Sequence, residues 1–338
     1  MKEPSYYLDF IRVLACLMVI AMHSPIPHTS AAENPLSGLL SYFTAPCIGL
    51  FFMVSGALLL PISVETSEFL RKRLKKVFLP TLFWSLFYIV CNVYKGNLDL
   101  SGMVVSLLGI PFSAQGNGVL WFMYTMIGLY LLAPIISDWL HKASRKNIEF
   151  YLFLWSISLC LPFFRLFLNI SYGEENILYN FSGYSGYFLL GFYLNKYVLN
   201  PIGRKSCLYW ILGVMIVLLP PAACKVFHLN IDFYSLFWYL SVGVALMCVG
   251  WFLLIKNISL LSRTNTLTIA LAEISKMSFG IYLVHIFIMR DLLWNLSFLQ
   301  HLPFHYQIPL CTILTFGLSY LFVKLFSKFS FSKHIIGC

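Results

Sequence analysis

The chain has 338 residues, 59% of them hydrophobic and only 11% charged, where a soluble domain carries about 25%. With a mean hydropathy of +0.80, this excludes an ordinary soluble protein. It points to an all-α polytopic membrane protein, a single integral-membrane domain over residues 1–338. The net charge of +10 does not argue for nucleic acid, because the placement of the basic residues follows a membrane topology.

Windows of about 20 apolar residues predict a bundle of about ten helices. They lie near 6–26, 38–60, 77–94, 119–138, 149–168, 182–199, 207–223, 234–255, 277–294 and 308–325. The first carries Asp9, Arg12 and His23 inside an apolar run. Arg12 and His23 are eleven residues apart, three turns plus about 20°, so both lie on one face, about 16 Å apart along the axis. Asp9 sits one turn before Arg12 on that face. Asp and Arg at membrane depth cost at least about 2.5 kcal/mol each, so the stripe must face the protein interior or a wet cavity. A signal peptide does not fit, since Arg12 interrupts the apolar core and the only upstream cation is Lys2, beside Glu3. A structural Asp9–Arg12 pair, with Arg12 snorkelling, stays open but leaves His23 unexplained.

The next strong feature is Phe69 to Pro80, which holds Arg71, Lys72, Arg73, Lys75 and Lys76 just before the third predicted helix. Two readings compete. One is a stop-transfer flank touching anionic membrane lipid, at about 1 kcal/mol per charge. The other is a cytoplasmic phosphate clamp in which Arg73 and Lys76, one turn apart at the helix start, also use the helix dipole. With the N-terminus inside, all the basic residues fall on the cytoplasmic side except Arg12, Lys95, Arg165, Lys225 and Arg290. That asymmetry predicts a multi-pass protein with both termini cytoplasmic. The outer connection near 95–118 contains the apolar run Met103 to Phe112, too short to span and expected to be re-entrant or interfacial.

Further along, Trp121, Tyr124 and Tyr130 in the fourth helix read as interfacial aromatics or as pocket walls. Arg165 lies near the outer end of the fifth. In the ninth, Ser278, Tyr282 and His285 fall at i, i+4 and i+7, a polar stripe on an apolar helix. It is either a set of hydrogen-bonded core groups or the lining of a substrate channel. The nine cysteines are scattered singly, without metal-ligand spacing, so neither a disulfide framework nor a metal site is expected.

Taken together, these residues resemble the membrane-bound acyltransferase-3 family, and in size the O-acetyltransferases of that family that modify surface glycans. The resemblance rests on Leu8-Asp9-Phe10-x-Arg12 with His23, and on Phe51-Phe52-Met53-x-Ser55-Gly56. It continues through Arg73-x-x-Lys76 with Pro80, and Leu120-Trp121-Phe122 with Tyr130 and Pro134. Tyr187 to Gly191 and Ser278-Phe-Gly-Ile-Tyr282-x-x-His285 complete it. The motifs recur in order over residues 6–290. Two positions depart from the family pattern. Lys76 replaces an arginine, keeping charge but losing bidentate geometry, and Val119 stands where a histidine is often found.

The resemblance implies an acyltransferase with acetyl-CoA or another acyl-CoA as cytoplasmic donor and no metal. The acceptor would be a hydroxyl of an extracytoplasmic or lipid-linked glycan, and the host a bacterial inner membrane. The lack of an appended esterase-like domain suggests transfer straight to a sugar. Coenzyme A is a polyanion suited to Arg71, Arg73, Lys75 and Lys76. His23 would act as general base on the acceptor hydroxyl, Arg12 would stabilise charge, and Asp9 would hold Arg12. Ser278, Tyr282, His285 and Trp121 would line the substrate channel. Direct transfer and a transient acyl-histidine both remain open. The rival readings are a proton-coupled transporter or flippase of a glycan precursor, since buried His, Arg and Asp also serve proton relays, and a structural subunit of a polysaccharide-export complex.

Overall fold

A computed structural model describes residues 5–27, 36–116, 118–169, 176–198, 203–227, 238–258, 261 and 264–337. Every regular element among them is helical. In chain order they are α1 (Tyr6–His23), α2 (Leu36–Thr44), α3 (Pro46–Leu59), α4 (Thr66–Tyr94), α5 (Leu100–Gly109), α6 (Trp121–Lys142), α7 (Arg145–Ser158) and α8 (Leu161–Leu168). There follow α9 (Ser185–Tyr197), α10 (Gly203–Phe227), α11 (Val242–Lys256), α12 (Thr266–Ile286), α13 (Ser297–Gln300) and α14 (Phe304–Phe326). Seven stretches among the described residues are long and apolar enough to cross a membrane: Tyr6–His23, Leu40–Leu59, Thr66–Tyr94, Gly118–Lys142, Arg145–Phe164, Thr266–Leu293 and Phe304–Phe326. The protein is an all-α polytopic membrane protein.

The count among the described residues is seven, not the expected ten, and two of the shortfalls have local causes. The span expected at 182–199 is the 13-residue α9, about 20 Å long against a hydrocarbon core of about 30 Å. It cannot start earlier, because Gly183 has φ +106, outside the helical region. The span expected at 234–255 is the 15-residue α11, begun by Ser241, whose hydroxyl accepts from the Val244 amide. Residues 234–237 of that expectation lie outside the described residues. The helix expected at 207–223 exists within the 25-residue α10, some of whose side chains lie outside the described residues.

Caps also move two boundaries. Helix α4 begins at Thr66 rather than 77, because the Glu65 carboxylate accepts from the Ser67 and Glu68 amides. Helix α12 begins at Thr266 rather than 277, where Asn265 and Thr268 exchange side-chain and backbone hydrogen bonds. Beyond Ile286 it widens into a π turn over Phe287–Leu293, marked by the Trp294 amide reaching the Met289 carbonyl at 2.9 Å. The run expected to be interfacial or re-entrant is α5, started by the Asp99 side chain and with no buried residue.

The chain forms two compact units, residues 1–60 with 139–275, and residues 61–138 with 276–338. In the first, α3 is the core element. It is apolar on all sides and almost wholly buried, as expected of an interior helix, and α1, α9 and α11 pack around it. Phe52, Met53, Tyr187, Phe188, Phe252, Ile11 and Ile20 fill this core. In the second unit, Tyr88 on α4 donates to the Leu283 carbonyl on α12 at 2.8 Å. The segment after α14 folds back along α4, where Trp84 Nε1 donates to the Ile335 carbonyl at 2.9 Å. Pro80 has no amide for the Lys76 carbonyl, and Gly337 sits over that carbonyl so closely that a Cβ would stand 3.0 Å away.

Candidate active site

In the first unit, α1 is one unbroken helix from Tyr6 to His23, so Asp9, Arg12 and His23 hold the phase read from their spacing. All three are partly exposed, whereas Leu8, Ile11, Ala15, Cys16, Val19 and Ile20 are buried. Arg12 Nη1 donates to Ser275 Oγ on α12 at 3.1 Å, a cross-helix tie that fixes the guanidinium far along the stripe from His23. His23 is the last residue of α1. Ser24 turns the chain there, its hydroxyl donating back to the Ile20 carbonyl at 2.8 Å.

The cytoplasmic-facing end expected for this unit holds a second polar network. Tyr7 donates to Asn195 Oδ1, whose amide donates to the Ala57 carbonyl at 3.1 Å. Lys256 Nζ donates to the carbonyls of Leu194, Asn195 and Val198 at 2.9, 3.1 and 2.8 Å. Those are last-turn carbonyls of α9, which have no helical donors of their own. A lysine at the end of a distant helix thus caps α9. Nothing in the local sequence pairs Lys256 with residue 195.

In the second unit, the basic run lies five to ten residues inside α4 rather than at its start. The Glu65 carboxylate already occupies the first-turn amides, and dipole effects fade within a turn, so the dipole part of the expected clamp is removed. The helical phase divides the four expected ligands. Arg73 shares the buried face of Phe69, Val77, Pro80 and Trp84, lying 6.0 Å over the Phe69 ring, which meets Tyr130 edge-on at 6.4 Å. Lys76 lies at the edge of that face by phase and is exposed, as are Arg71 and Lys75 on the opposite half.

The Ser278–Tyr282–His285 stripe is buried, with His285 fully so. Tyr282 donates to the Val119 carbonyl at 2.5 Å, just ahead of Trp121. The Tyr282 ring packs 5.2 Å from Phe122, itself edge-on to Trp121 at 6.4 Å. Of the four expected channel residues, Tyr282 and His285 meet, with ring centroids 5.4 Å apart, and Tyr282 reaches the start of α6 through Val119 and Phe122. His285 Nδ1 lies 2.5 Å from the Tyr282 carbonyl. A carbonyl only accepts, so Nδ1 donates there. The π turn that follows directly is a distortion often found at functional sites.

The parts missed by sequence reasoning are Ser275, Lys256, Asn195 and the aromatic group Trp155, Tyr184, Trp238 and Tyr239. Only their positions in space reveal them. No curated protein and no solved structure matches the chain. A family model described as an acyltransferase domain matches residues 5–324, nearly the whole length. A helical membrane protein with a histidine and an arginine on one stripe of α1, matched over residues 5–324 by that model, belongs to the acyltransferase-3 family.

Proposed function

We propose that this acyltransferase moves an acyl group, acetyl in the first instance, from cytoplasmic acyl-CoA to a hydroxyl of an extracytoplasmic or lipid-linked glycan. The observation that carries the reading is the α1 stripe. Its arginine is tied to Ser275 and its partly exposed histidine stands at the far end of the same helix. His23 takes the proton of the acceptor hydroxyl as the hydroxyl oxygen bonds to the thioester carbonyl carbon. Arg12 stabilises negative charge along the stripe. Collapse of the tetrahedral carbon breaks the C–S bond, and the imidazolium returns its proton to the departing thiolate, leaving an ester and free coenzyme A thiol. Arg73, half-buried on the face of Phe69 and Val77, and Lys76, exposed at the edge of that face, are the members of the basic run best placed to meet the donor phosphates. The bias of Lys and Arg supports an inner-membrane protein with cytoplasmic termini.

The test is thiol release by the purified protein given acetyl-CoA and an extract of surface glycan. An acyltransferase of this kind releases thiol in step with ester formation. Substrate movement across vesicles without thiol release would favour the transporter or flippase instead.

A further inference from the structure

Helix α1 ends against an aromatic cluster that its sequence does not announce. Tyr239 donates to Met22 Sδ at 3.4 Å, and Met22 directly precedes His23 in the last turn of α1. The Tyr239 carbonyl accepts from the Tyr187 hydroxyl at 2.7 Å, so the turn leading into α11 is held from α9 as well as from α1. Tyr239 is buried, but its neighbour Trp238, with ring centroids 4.6 Å apart, is 41% exposed. The Trp238 indole is hydrogen-bonded to the Tyr184 hydroxyl. Tyr184 in turn leans on Phe52 of α3 at 5.0 Å. Its approach is set by Gly183, whose carbonyl accepts from Trp155 Nε1 at 2.9 Å.

An interfacial tryptophan of the ordinary kind turns its N–H toward water or lipid headgroups. Trp238 instead spends its N–H on a protein hydroxyl, and its backbone neighbour is pinned from two helices. Its exposed face is therefore a fixed surface, preorganised as a binding group must be. We infer that Trp238 and Tyr184 form the acceptor platform of the enzyme, taking a pyranose ring whose apolar C–H face lies on the indole and whose hydroxyl edge turns toward the last turn of α1. The chemistry selects this class. A flat, fixed aromatic face suits a ring with one C–H face. A charged acceptor would call for a counter-charge that none of these aromatic residues carries. The inference rests on His23 as the base of the proposed reaction, and it names what brings the hydroxyl there.

The experiment uses the full-length protein in detergent with acetyl-CoA, a panel of p-nitrophenyl hexopyranosides and, as an acyclic acceptor, glycerol. Trp238→Leu should raise KM for the preferred pyranoside about tenfold, the loss expected for one aromatic contact. The donor KM and transfer to glycerol should stay within about twofold of wild type. Trp238→Phe should fall between, and Tyr184→Phe should raise the pyranoside KM while the donor KM holds. If Trp238→Leu yields little folded protein, the Trp238→Phe rise, confined to pyranosides, is the deciding measurement. An unchanged pyranoside KM, an equal loss with glycerol, or a wild type that acylates glycerol but no pyranoside would each overturn the platform while leaving acyl transfer standing. No thiol release with any acceptor would remove the coenzyme A reading, and the platform with it.

Discussion

Gly56 on α3 meets the backbone of Phe188 on α9, and Gly191 on α9 meets that of Met53 on α3, in a crossing where backbone meets backbone. A Cβ at Gly56 would stand 1.7 Å from the Phe188 carbonyl oxygen, and one at Gly191 would stand 1.9 Å from the Met53 carbonyl oxygen. In lipid, such close approach is the main source of helix association. Neither clash can be relieved by a side-chain rotation, because each is with main chain. Gly56→Ala or Gly191→Ala should therefore cost more than the roughly 1–3 kcal/mol of ordinary overpacking. Thermal unfolding in detergent checks this. A melting temperature within a degree of wild type would show that the crossing is looser than described.

The basic run of α4 should divide by face. Arg73→Ala and Lys76→Ala should raise the apparent Michaelis constant for acyl-CoA several-fold, and added salt should partly mimic them. Arg71→Ala and Lys75→Ala, on the exposed half, should change it by less than about twofold, as expected of lipid-facing charges. Equal effects from all four would make the run a diffuse electrostatic attractor.

His23→Ala should lower turnover by about 10²–10⁴, the share of a general base, with donor binding retained. Because the base must be neutral, the rate should fall as the pH is lowered. His285→Ala removes a fully buried ring bonded to its own helix and should chiefly lower folded yield. Near-full transfer by His23→Ala, with none from folded His285→Ala, would move the catalytic role to α12.

The start of α4 should be acid-sensitive. The Glu65 carboxyl lies below its usual range, first through its hydrogen bond from the Ser67 hydroxyl and then through the Glu68 and Ser67 amides. A depressed carboxylate contributes stability that is present above its unfolded pKa and lost as pH falls through the folded one. Hydrogen exchange at the Ser67 and Glu68 amides should therefore accelerate, relative to intrinsic rates, below about pH 4. Glu65→Ala should show that acceleration already at neutral pH.

Orientation can be read with thiol labels in intact cells, in a Cys207→Ser background because Cys207 is the exposed native thiol among the described residues. A cysteine at Ala143, between α6 and α7, should be protected from a membrane-impermeant reagent. One at Asn97, between α4 and α5, should react. The opposite pattern would invert the proposed topology.

The sequence by itself determined the class of the protein, its family and the α1 stripe. All three depend on short-range facts: composition set against the bilayer, and residues on one helix whose phase follows from 3.6 residues per turn. Helix starts at Thr66 and Thr266 were also written locally, in Glu65 and in the Asn265–Thr268 pair, but hydropathy windows pass over such polar caps. The two short helices, α9 and α11, escaped for a related reason, since a window measures apolarity and not where a helix starts after Gly183 or Ser241. What only the tertiary structure decided are the partners of single polar groups. Ser275 for Arg12, the ends of α9 for Lys256, and Trp238 beside the end of α1 all join residues tens to hundreds of positions apart. Such pairings are chosen by how buried surfaces fit, and no period or spacing along the chain encodes them.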